Sequence, residues 1–202
     1  MQKAEERQVE KRANQPPIYT VGYGNRSLAE FIALLQQYEI RYLVDIRSQP
    51  YSRYHPNYSK ATLEAALKQQ GLHYVFLGDT LGGRPQDAAC YVNGKVYYAI
   101  LRARPFYQQG IQRLHSAWEK QTRMVLMCSE QKPHECHRSK LIGNTLSELH
   151  IEVAHIDEAG QIKSQAAVEE MLSGGQLTLF DDPALDKNIG FSRKKYLPTE
   201  QD

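Results

Sequence analysis

A chain of 202 residues has room for one domain with a sizeable hydrophobic core and some appended sequence. Its 25 Lys and Arg against 23 Asp and Glu leave a net charge of +2, which excludes a strongly basic nucleic-acid coat and an acidic tail but leaves room for a local basic groove. The absence of an apolar run of about 18 residues argues against a membrane span or membrane partner. The polar start MQKAEERQVEKRANQPP does not fit a secretory signal. Three cysteines, an odd number, fit a reducing cytoplasm better than a disulfide framework.

In chain order, residues 1–17 read as a polar leader ending in Pro16-Pro17. IYTVG (18–22) is a short apolar strand closed by glycine. Ser27 and Glu30 have the spacing of a capping box for a helix whose apolar stripe is Leu28, Phe31, Ile32, Leu34 and Leu35. RYLVDIR (41–47) is a second strand, followed by the loop SQPYSRYHPNYS and a helix KATLEAALKQQ that Ser59 is expected to cap and Gly71 to stop. HYVFL (73–77) is a third strand. A polar segment (78–104) precedes a helix opening at Pro105. RMVLMCS (123–129) is the most apolar strand, CHRSKLIGNTLSEL a helix, and IEVAHI (151–156) a fifth strand.

The alternation of strands and helices predicts an α/β fold with a mostly parallel five-stranded sheet and helices on both faces, occupying 18–156. Residues 157–202 form a C-terminal extension with a short helix, QAAVEEML. The functional loops are expected at the carboxyl ends of the strands, where Gly22–Arg26, Asp45–Tyr58, Leu77–Arg84 and Cys128–Arg138 fall.

The segment CSEQKPHECHR (128–138) is the densest in reactive side chains. Cys128 or Cys136 can act as a nucleophile, Glu130 or His137 can move protons, and Arg138 can clamp a phosphate or carboxylate. No metal is expected, because Cys-x7-Cys-His lacks the fourth ligand and the tight spacing of a zinc site. Asp45 and Arg47, two apart on a strand, leave the same side of the pleat, so Asp45 can orient Arg47, bind a sugar hydroxyl, act as a base or form an internal ion pair. Arg47, Arg53, Tyr54 and His55 belong to a loop that also carries Tyr51, Tyr58 and Lys60 and no acid, a mixture suited to phosphates and stacked bases. A second such stretch holds Tyr91, Lys95, Tyr97, Tyr98, Arg102, Arg104 and Tyr107. Arg26 and Arg84 each follow a glycine-bearing turn and are further candidates for anion binding. The first of these turns, GYGNRS, breaks the G-x-G-x-x-G pattern of a dinucleotide site, and no motif identifies a cofactor.

IYTVGYGNRSLAEFIALL, YLVDIRSQPYSR, HYVFLGDTLGGR and MCSEQKPHECHR, occurring together and in this order, resemble the DUF488 family. The resemblance implies a three-layer α/β/α domain and a C-x-E-x-x-P-x-x-C-H-R motif, and it implies no settled activity. The family's first motif often carries His where this chain has Tyr23. VDIR also resembles the Asp-x-Arg strand of rhodaneses, but their short Cys-to-Arg catalytic loop is missing, since Cys128 stands ten residues before Arg138. QLTLF resembles the peptide with which bacterial repair proteins dock on the sliding clamp, with Gln176 as the amide anchor and Leu177, Leu179 and Phe180 as apolar knobs.

Three functions are carried forward. The first is a protein directed at nucleic acid or nucleotides, associated with DNA repair, with a carboxylate and arginine site. The second is a thiol-dependent or small-molecule anion enzyme. The third is a non-catalytic adaptor of DNA metabolism docking on the sliding clamp. The motifs do not decide between an enzyme and a binding protein.

Overall fold

The computed structural model describes residues 15–172 and 190–196. Strands β1 (Ile18–Gly22), β2 (Tyr42–Asp45), β3 (His73–Phe76), β6 (Met124–Cys128) and β7 (Val153–Ile156) are the five read from the sequence. They lie parallel, and a short strand β8 (Ile162–Ser164) runs antiparallel to β7 at one edge. The sheet therefore has six strands rather than five, in the order β3-β2-β6-β1-β7-β8. The sixth has only three residues, Ile-Lys-Ser, too few to show a period of two.

Helices cover both faces, giving a three-layer α/β/α domain. Alternation along β6 divides the core. Val125 and Met127 pack with Phe31 and Leu35 of α1 (Leu28–Gln37) and Leu63 and Leu67 of α2 (Lys60–Gln69). Met124, Leu126 and Cys128 face the opposite layer, with Ile111 and Leu114 of α5 (Pro105–Glu119). The capping box at the start of α1 is formed: Glu30 N–H donates to Ser27 Oγ at 3.3 Å, and Ser27 N–H donates to Glu30 Oε2 at 2.8 Å. Ser59 precedes α2 without capping it, because its hydroxyl accepts from the Ser52 N–H at 3.2 Å and so braces the preceding loop.

The polar segment after β3 contains α3 (Gly78–Leu81), a small hairpin β4 (Tyr91–Val92) and β5 (Lys95–Val96), and α4 (Tyr98–Arg102). Its basic, Tyr-bearing part is not an open surface. Tyr98 and Tyr107 are core residues, while Arg104 pairs with Asp87 at 2.9 Å and Arg102 pairs with Glu148.

The helix predicted from Cys136 starts later. A 3-10 turn spans Pro133–Glu135, Cys136 is extended, and a π-helical turn (Arg138–Gly143) runs into α6 (Asn144–Glu148). α7 (Gln165–Leu172) is joined to the sheet through the buried chain Thr20–His155–Gln165, with contacts of 2.7 and 2.6 Å. Residues 190–196 lie against the hairpin: Tyr98 N–H donates to the Gly190 carbonyl, and Phe191 stacks on Tyr97 with ring centroids 4.6 Å apart. No helix among the described residues is long and apolar enough to cross a membrane.

Candidate active site

The chain leaves central strand β1 for β2, goes outward to β3, and returns to insert β6 between β2 and β1. The carboxyl ends of these strands therefore diverge at a switch point, where open α/β sheets form crevices. A cleft of about 210 Å³ lies there, bordered by Tyr23 after β1, Arg47 and Ser48 after β2, Cys128–Glu130 after β6, and Cys136 and His137. The approach of β1 to the β6 loop requires glycine, since a Cβ on Gly22 would stand 1.7 Å from the Glu130 carbonyl oxygen.

Arg47 is held from below. Its Nε donates to Asp45 Oδ1 at 2.9 Å, and its Nη2 donates to Asp45 Oδ2 at 2.6 Å and to the Tyr58 carbonyl at 2.8 Å. The Tyr74 hydroxyl also donates to Asp45 Oδ2, at 2.7 Å. Asp45 is thus occupied on both oxygens, fully buried and outside the cleft lining. Of the roles open to it, the structure shows the internal ion pair, which aims Arg47. The remaining nitrogen, Arg47 Nη1, is buried and has no hydrogen-bond partner among the described residues. Tyr23 supports this guanidinium, whose carbon lies 5.4 Å from the ring centroid, and stacks on Tyr58 at 4.1 Å.

The two cysteines meet at the cleft floor. Cys128 Sγ, Cys136 Sγ and a His137 ring nitrogen lie within 4.8 Å of one another. The Cys128 thiol donates to Glu130 Oε2 at 2.7 Å. Cys136 Sγ lies 3.6 Å from His137 Nδ1 and accepts from the Arg138 N–H at 3.5 Å. His137 Nε2 faces the Ile46 carbonyl at 3.3 Å, which fixes the ring with Nδ1 toward sulfur.

This arrangement separates the thiols electrostatically. Burial pushes both upward, and for Cys128 it prevails, keeping that thiol protonated. At Cys136 the hydrogen bond from Cys128 and the His137 charge outweigh burial and bring the thiol down to about 6. His137 is correspondingly raised: burial opposes its charge, but the Cys136 thiolate favours it. Glu130, despite burial, is held down to about 2 by the Cys128 hydrogen bond and the His137 charge. Cys136 and His137 therefore each favour the other's charged form, the thiol shifted down and the imidazole up.

Of the residues singled out from the sequence, Arg47, Arg84, Cys128, Glu130 and His137 line the cleft. Asp45, Arg26, Arg53, Tyr54, His55 and Arg138 do not. Arg26 is spent on the carbonyls of Gly22, Asp157 and Glu158 at 2.6 to 3.0 Å. Arg138 is fully buried and gives Nη2 to the Gln131 carbonyl at 2.8 Å. His55 packs edge-on to Tyr23 and Tyr58. Arg53 and Tyr54 are exposed. Gln176, Leu177, Leu179 and Phe180 lie outside the described residues. Sequence reasoning missed the wall formed by Ser192, Arg193, Lys194 and Tyr196. Its only sequence signal was the basic run at 193–195, which carries no mark of where it folds back.

Cys128, Cys136, His137 and the anchored Arg47 thus meet at the switch point of a three-layer α/β/α sheet. Residues 27–144, more than half of the chain, match the family described as "Domain of unknown function DUF488", and the chain belongs to that family. No curated protein and no solved structure matches it.

Proposed function

We propose that the chain is a thiol-dependent enzyme acting on an anionic substrate, with Cys136 as nucleophile. The observation that carries this reading is the Cys136–His137 contact of 3.6 Å in a cleft that Arg47 also lines, with Nη1 of Arg47 lacking a hydrogen-bond partner among the described residues. Arg47 draws the substrate anion, helped by Arg84, Arg193 and Lys194 on the cleft walls. Cys136 Sγ displaces a leaving group, which takes its proton from His137 Nδ1. The test is alkylation of the full chain by iodoacetate and by neutral iodoacetamide, followed by peptide mass mapping. Cys136 should react first, with a midpoint near pH 6 and a preference for iodoacetate that Arg47→Gln removes. Equal, slow alkylation of Cys128 and Cys136 at neutral pH overturns the reading.

A second reading identifies the anion as a nucleotide or single-stranded nucleic acid. It is favoured by Tyr51 and Tyr54, which are 71% and 86% exposed on the loop bordering the cleft beside Arg53. Each base stacked on such a ring gains roughly 1–3 kcal/mol. Oligonucleotide binding should weaken with salt and with Tyr51→Ala; binding that ignores both would sink this reading.

A further inference from the structure

A nucleophilic mechanism of the kind proposed requires one thiol, and the cleft floor holds two. Cys128 and Cys136 both line the cleft, with their Sγ atoms within 4.8 Å. Cys128 gains a chemical step of its own there when Cys136 becomes bonded to sulfur: it can then attack that sulfur and expel the attached group as a thiolate. Its surroundings suit that attack, because a His137 ring nitrogen lies within 4.8 Å of its Sγ, placed to receive the proton once His137 has given up its own. The two sulfurs are also carried on different supports. Cys128 ends the central strand β6, whereas Cys136 stands in the extended link between the 3-10 turn Pro133–Glu135 and the π-helical turn.

We propose that Cys128 and Cys136 form a redox-active dithiol and that the substrate is an anionic compound carrying an electrophilic disulfide. This rests on the reading of Cys136 as the nucleophile. In the first step the Cys136 thiolate attacks one sulfur of the substrate R–S–S–R, forming Cys136–S–S–R and releasing R–S⁻, which takes a proton from His137. In the second step His137, left neutral by the first, takes the Cys128 proton as Cys128 Sγ attacks Cys136 Sγ, and the second R–S⁻ departs with that proton. The substrate gains two electrons as two thiols, and the protein loses them as a Cys128–Cys136 disulfide. Arg47 Nη1 supplies the anion anchor, since it is buried, without a partner among the described residues, and part of a side chain lining the same cleft.

The probe is dithiobis(nitrobenzoate), a disulfide with a carboxylate on each ring, added to the reduced full-length chain in the presence of a chelator. Released nitrothiobenzoate is followed by absorbance, and the product by intact and peptide mass. The expected product has lost two hydrogens, carries no adduct at either site, contains a Cys128–Cys136 linkage, and has released two nitrothiobenzoates. Cys128→Ser should release one equivalent and retain the adduct on Cys136. Cys128→Ala, which places no hydroxyl in the buried position, should do the same. Cys136→Ser should slow the first release more than tenfold. If Cys136 reacts first but the unaltered chain keeps its adduct, the dithiol inference fails and the nucleophile reading stands. If Cys136 reacts no faster than Cys128, both fail.

Discussion

Arg47 and His137 owe their positions to neighbours with no chemical role of their own. Asp45 pairs with the buried guanidinium of Arg47 and leaves its Nη1 without a hydrogen-bond partner among the described residues. Asp45→Asn should destabilise the fold by about 3–5 kcal/mol, since removing one partner of a buried pair leaves the other charge uncompensated. Urea denaturation checks this. His137 is confined between the Ile46 carbonyl and Gly83, where a Cβ would stand 2.9 Å from the ring at Cγ and Nδ1. Gly83→Ala should therefore turn the imidazole away from Cys136 and move the midpoint of thiol alkylation upward from about 6; an unchanged midpoint would show that the ring does not set it. At this scale the sequence is only partly legible. Cys128, Glu130, Cys136 and His137 stand out as a dense cluster, but which thiol faces the imidazole depends on an extended residue, Cys136, between two tight turns. Arg138 looks the same in sequence as a substrate clamp, yet it lies buried against the end of β1.

The loop Cys128–Arg138 and the segment 190–196 supply two walls of the cleft. In the loop, Glu130 is held at about 2 in the folded protein, below the ordinary carboxyl value of about 4.3. Above that ordinary value its contribution to stability is complete, and it is lost as pH falls through the folded value, because the unfolded chain then binds the extra proton. Thermal melts between pH 5 and pH 2 should thus fall more steeply for the natural chain than for Glu130→Gln. The segment 190–196 is pinned by the Phe191–Tyr97 stack and by Arg84 over Tyr196 at 4.1 Å. Phe191→Ala should cut the preference for iodoacetate over iodoacetamide several-fold while leaving the thiol midpoint in place. Strands such as MVLMC are legible because a central parallel strand is apolar on both faces. The 190–196 wall is not, because its anchoring is a long-range event between short, irregular segments.

Across the whole molecule, the buried chain Thr20–His155–Gln165 links β1, β7 and α7. Burial lowers His155 to about 4, so the folded protein holds it neutral where the unfolded chain is already protonated. Its contribution is complete above about pH 6.5 and is lost as pH falls through the folded value. His155 and Glu130 therefore give adjoining acid-sensitive windows. The part of the pH dependence between 6.5 and 4 should disappear in His155→Gln, with urea midpoints as the measure.

The sheet order also has a consequence for synthesis. β1 is made before either of its neighbours, and its two edges wait for β6 and β7, at 124–128 and 153–156. Until those strands emerge, the nascent chain carries an apolar ribbon whose native edges are both open. Closure comes only when β7 arrives at Val153–Ile156, so escape from aggregation depends on the parallel strand that is made last of the five.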